Sequence, residues 1–148
     1  MSDLKSQLAD LLSIETGKVF KAKLPLGSDK EHFIIIVVVS EDRNYCGYFY
    51  VTSKVANAKR IGSNDPESIL ILNSTDWPIL TLESCIQCNK KHLYQTSKSD
   101  LIRLCREGNL KIISEQVPSN IKEKILEASN KSKTFTSKDI KNFFKKNN

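Results

Sequence analysis

The chain has 148 residues, 39% of them hydrophobic, with four cysteines and a net charge of +6. That is enough to bury one core without disulfides or a metal, so a single domain is expected, made of an N-terminal helical part (1–16), a β core (17–90) and a helix-rich C-terminal part (91–148). There is no apolar run of eighteen residues and no basic-then-apolar leader, which argues against a membrane span or a secretory signal and for a cytoplasmic location.

Leu4, Leu8, Leu11 and Leu12 recur at helical spacing behind Ser2 and Asp3, which predicts a short amphipathic helix over residues 3–13. After Gly17, Lys18 to Leu24 alternates polar with apolar, the pattern of a strand with one solvated face, and Pro25 ends it. A polar loop leads into Phe33 to Val39, a continuous β-branched run that suits a strand buried on both faces. A turn at residues 40–44 and a strand from Tyr48 to Ser53 complete an antiparallel hairpin.

Residues 55–67 read as a long loop, Ser68 to Leu72 as a short strand, and Trp77 to Cys88 as an extended segment broken near Glu83. Helices are expected from Ser99-Asp100 to Gly108, after Pro118, and from Ser137, with a strand at Leu110 to Ile113. Many short strands followed by helices, without regular β-α alternation, predict a mainly β fold with helices (α+β). It would be a small SH3-like barrel or a rolled antiparallel sheet with a helical C-terminal part.

Candidate chemistry is sparse. Cys85-Ile-Gln-Cys88 has zinc-ligand spacing, and His92, Cys105 or His32 would have to complete the set. Residues three apart on a strand face opposite sides, however, so these thiols, with Cys46 and Cys105, read better as reduced and buried. No metal or other cofactor is expected. The positive charge, much of it after residue 89, suits either an acidic partner such as RNA or a solubilising surface. Tyr45, Tyr48, Phe49, Tyr50 and Trp77 offer either core or base-stacking surfaces.

His32 opens the buried strand and Thr52-Ser53-Lys54 ends its partner, so a tight hairpin would bring them together. A histidine beside hydroxyls and a lysine can move a proton and hold a phosphate, the minimum for cleaving RNA through its own 2′-hydroxyl. His32, Thr52 and Ser53 are therefore the catalytic candidates, with Lys30 and Lys54 as phosphate-binding residues; the alternative is a strand end capped by Thr and Ser in a non-catalytic module that binds nucleic acid or protein.

Gly17-Lys-Val-Phe, the β-branched strand, Val51-Thr52-Ser53-Lys54 and Leu82-Glu-Ser84-Cys-Ile-Gln-Cys-Asn89 occur in an order that resembles the PemK/MazF family of toxin ribonucleases over roughly residues 17–90. The resemblance implies an SH3-like barrel that acts as a homodimer, cuts single-stranded RNA without a metal and is restrained by an antitoxin. Thr52 and Ser53 carry over to the family pattern. His32 stands where the family's catalytic arginine usually sits, and Gln87 and Asn89 stand where basic and acidic side chains assist, which adds both to the RNA-binding candidates.

Overall fold

A computed structural model describes residues 14–23, 31–114 and 116–145. The predicted helix over 3–13 and Lys30 lie outside the described residues. Strands β1 (Val19–Lys23), β2 (Glu31–Val39) and β3 (Tyr45–Thr52) are followed by helix α1 (Val55–Ile61), β4 (Ile69–Leu72), β5 (Ser84–Gln87) and β6 (Tyr94–Ser97). Helix α2 (Lys98–Arg106), β7 (Leu110–Ser114), α3 (Ser119–Lys131) and α4 (Ser137–Ile140) follow among the described residues. Helix and strand each make up about a third of the structure, 32% and 31%, so the fold is α+β.

The seven strands form one antiparallel sheet in the order β4-β5-β3-β2-β1-β7, with β6 also on β3. The sheet does not close into a barrel, which overturns the SH3-like barrel, expected as one of two architectures and implied by the family resemblance, and leaves an open antiparallel sheet. The reason lies in β2. Ile34, Ile35, Ile36 and Val37 are all fully buried, and alternate residues of a strand enter opposite faces.

Ile35 and Val37 pack with Phe49, Ile121, Ile125 and Phe143 under α3 and the C-terminal segment, whereas Ile34 and Ile36 pack with Phe20, Tyr48, Leu101 and Cys105 under α2. A small barrel has one interior. This sheet has two covered faces, and each fully buried aliphatic side chain contributes about 1.5–3 kcal/mol.

Several local features match the sequence reading. The β2–β3 hairpin is antiparallel, with Ile34 opposite Tyr50. Gly108 follows α2 at φ +78°, a backbone conformation that glycine adopts without a Cβ penalty. The Ser97 hydroxyl accepts the Asp100 N–H at the start of α2, and Thr136 and Asp139 form a capping box on α4.

Other segments differ from that reading. Val55 to Ile61 is a helix rather than loop, and Trp77 to Leu82 is a series of turns rather than strand, with Trp77 buried in the core. Tyr94 to Ser97 is a strand that the sequence pattern did not suggest.

The register of β2 on β3 shifts between Ile36 and Val38, a bulge that frees the Val37 carbonyl to accept the Phe144 N–H at 2.7 Å. Gly47 sits opposite Val38, and a Cβ there would meet Val38 Cγ1 at 2.7 Å. Gly47→Ala is therefore expected to cost about 1–3 kcal/mol through overpacking, read as a lowered urea midpoint; an unchanged midpoint would show that the bulge yields freely.

Candidate functional site

The site forms where β3 changes partner. Its first half, Tyr45 to Tyr48, pairs with β6, and its last residues, Val51 and Thr52, pair with β5. The 3-10 turn Lys90–His92 connects those two strands at the fork. Beside it lies a cavity of about 190 Å³ lined by His32, Tyr50, Thr52, Ser53, Lys54, Gln87 and His92, with Asn57, Ala58 and Ile61 of α1 forming another wall. The hairpin thus brings together four of the residues singled out from its two ends, and β5 adds Gln87.

His32 is half-buried and its Nδ1 lies 3.2 Å from the Val51 carbonyl oxygen. A carbonyl only accepts, so Nδ1 carries the proton. The ring also meets Tyr50 edge-on, with centroids 5.2 Å apart. Thr52 is buried, and its Oγ1 accepts the Lys54 N–H at 3.2 Å. That bond shapes the exit from β3, so Thr52 positions Lys54. Ser53 and Lys54 are exposed at the mouth, and Lys54 makes no ion pair among the described residues. Its charge remains available to an anion.

Gln87 is buried, and its Oε1 has no hydrogen-bond partner among the described residues. The Tyr50 phenol beside it is pushed up in pKa by burial and then by Tyr94, with Gln87 opposing. Asn89 does not line the cavity. Its side chain donates to Ser68 Oγ at 3.3 Å and accepts the His92 backbone N–H at 3.1 Å.

The same Asn89 oxygen lies 2.8 Å from His92 Nδ1. Because a backbone N–H also donates to that atom, it is the amide oxygen, and Nδ1 of His92 must be a donor. Burial and then Lys91 hold the His92 imidazole below its ordinary pKa.

His92 is thus a site residue that the sequence reading weighed only as a zinc ligand. The available signal was Asn89 three residues ahead of it, the spacing of a capped turn. Asn89→Asp would put a carboxylate against Nδ1 and is expected to raise the His92 pKa, as read by an NMR titration of the ring. No upward shift would show that Asn89 does not set the ring's protonation.

The cysteines carry no reactive thiol. Burial pushes Cys46 up to about 12 and Cys85 up to about 11, and it raises Cys88 as well. Cys88 lies in the core with Ile121 and Ile125, while Cys85 is close enough to Lys59 of α1 for that cation to oppose its rise. No group of three or more His, Cys, Asp or Glu among the described residues is placed to hold a metal ion. Of the aromatic candidates, Phe49, Trp77 and Tyr48 are core, Tyr45 is 61% exposed away from the cavity, and Tyr50 lines it.

No helix among the described residues is long and apolar enough to cross a membrane. The chain is an α+β protein whose open antiparallel sheet carries a small histidine-lined cavity at a strand fork. Its sequence matches no family model and no curated relative.

Proposed function

We propose that this protein is a toxin-like endoribonuclease that cleaves single-stranded RNA through its own 2′-hydroxyl without a metal ion. The observation that carries this reading is the cavity that gathers His32, Ser53 and Lys54 with Thr52 beneath them. In-line attack of a 2′-oxygen on the adjacent phosphorus needs proton transfer and neutralisation of charge on the phosphoryl oxygens. Imidazole supplies the first and Lys54 the second. The resemblance in sequence order to the PemK/MazF family adds an intracellular toxin, a homodimer and an antitoxin that fills the RNA groove.

The test is incubation of the purified protein with unstructured RNA in excess chelator. Expected products end in a 2′,3′-cyclic phosphate and a 5′-hydroxyl, and expression in cells arrests growth. RNA binding that weakens steeply with salt but leaves the strand intact would replace this reading with that of a non-catalytic binding module.

A further inference from the structure

Cleavage by a 2′-hydroxyl has two proton transfers, one from the nucleophile and one to the leaving 5′-oxygen. We propose that His92 is a second catalytic residue, the general base for the 2′-hydroxyl, and that His32 is the general acid for the 5′-oxygen; this assignment rests on the ribonuclease reading above.

Both rings line the same cavity, and both are fixed through Nδ1, His32 on the Val51 carbonyl and His92 on the Asn89 amide oxygen. Each therefore keeps Nε2 for chemistry, with no partner for it among the described residues. They enter from different elements, β2 and the turn between β5 and β6. A run of ring contacts links them: Tyr50 meets His32 and Tyr94, and Tyr94 meets His92, at centroid distances of 5.2, 5.6 and 6.4 Å. Two imidazoles that enter one cavity from different elements suit an in-line displacement, in which the entering and leaving oxygens lie on opposite sides of phosphorus.

The division of roles follows from the surroundings. A base must be neutral before the reaction, and His92 is disfavoured as a cation by burial and by Lys91 on its own turn. Among the described residues, the other titratable groups around the cavity include Lys54 ahead of α1, Lys59 on α1 beside Cys85, the phenols of Tyr50 and Tyr94, the Cys85 thiol and His32 itself. Neither Lys54 nor the neutral phenols and thiol favours an imidazolium at His92. His32 has the Val51 carbonyl as acceptor in both its neutral and its protonated form, so its hydrogen bond survives protonation.

In the step, the 2′-O–H proton moves to His92 Nε2 as the 2′-oxygen bonds to phosphorus. The P–O5′ bond breaks with its electron pair on O5′, which takes the proton from His32 Nε2. The enzyme is left with His92 protonated and His32 neutral, and proton exchange with water restores the starting state.

A substrate with sulfur in place of the bridging 5′-oxygen tests the assignment, because a thiolate leaves without an acid. His32→Asn and His92→Asn are compared on RNA and on this phosphorothiolate; asparagine keeps a donor near the Nδ1 position and removes Nε2. His92→Gln is carried alongside, with urea midpoints confirming which variants fold.

Both histidine variants are expected to lose about 10²–10⁴-fold on RNA. On the phosphorothiolate His32→Asn recovers to near the wild-type rate and the His92 variants do not. The wild-type rate should rise and then fall with pH, and the His92 variants should lose the acidic limb. Full activity of folded His92 variants, or their recovery on the sulfur substrate, overturns the assignment while leaving the ribonuclease reading intact. A wild type inert on both substrates removes the ribonuclease reading and this assignment with it.

Discussion

Replacing His32 with asparagine is expected to slow RNA cleavage by about 10²–10⁴-fold, the usual contribution of a positioned proton-transfer group, with little change in fold stability. The two effects separate because the ring has two different contacts. Nδ1 donates to the Val51 carbonyl at 3.2 Å, next to where β2 and β3 stop pairing, and the asparagine amide can take over that bond. Nε2 has no hydrogen-bond partner among the described residues to lose.

His32→Ala removes both, and so adds the cost of a carbonyl left without its donor, about 1–3 kcal/mol where water cannot replace it. Thr52→Val offers a contrast. The Thr52 hydroxyl accepts the Lys54 N–H, so its loss displaces Lys54 rather than removing a reacting group. A smaller fall in rate, with a weaker dependence on salt, is expected for Thr52→Val. Equal rates for wild type and His32→Asn on RNA would remove His32 from the mechanism.

The hairpin that brings His32 to Thr52 was legible because it is local and strongly patterned. Four consecutive β-branched residues, Ile34 to Val37, leave few structures other than a strand covered on both faces, and the polar turn at residues 40–44 sets the return strand. What lay beyond the hairpin was harder to read.

Helix α1 starts at Val55 behind Lys54, which provides no side-chain cap, has no acidic residue in its first turn and buries only Ala58, so its sequence lacks the marks of a helix. Tertiary placement over β5 decides it. β6 is Tyr-Gln-Thr-Ser, mostly polar and paired on β3 alone, and gives no alternation to detect. His92 becomes a site residue only because β3 exchanges β5 for β6 beside it, a non-local event that spacing in the chain does not encode. Asn89, expected as an RNA contact, lies outside the cavity lining and accepts hydrogen bonds from the His92 backbone N–H and Nδ1.

Phe49→Ala is expected to be the most destabilising of these substitutions, by about 3–5 kcal/mol, the range for deleting a fully buried phenylalanine. Phe49 is 0% exposed and lies opposite Ile35 in the centre of the sheet. Its ring meets Phe135 and Phe143 edge-on at 6.4 and 6.1 Å, and those two rings meet each other at 5.5 Å. The triad fastens the segment after α3 to the sheet, and the Phe144 N–H then closes on the bulged Val37 carbonyl.

Truncating Phe49 therefore opens a cavity under three elements at once, and the β-branched neighbours on the sheet have few rotamers with which to fill it. Phe135 is only partly buried and should cost less when truncated, yet the double variant should cost less than the sum of the two, because each ring loses part of the same contact. Urea denaturation of the four proteins measures both quantities. A Phe49→Ala loss below about 1 kcal/mol, or strict additivity with Phe135→Ala, would mean that the aromatic cluster does not fasten the C-terminal segment to the sheet.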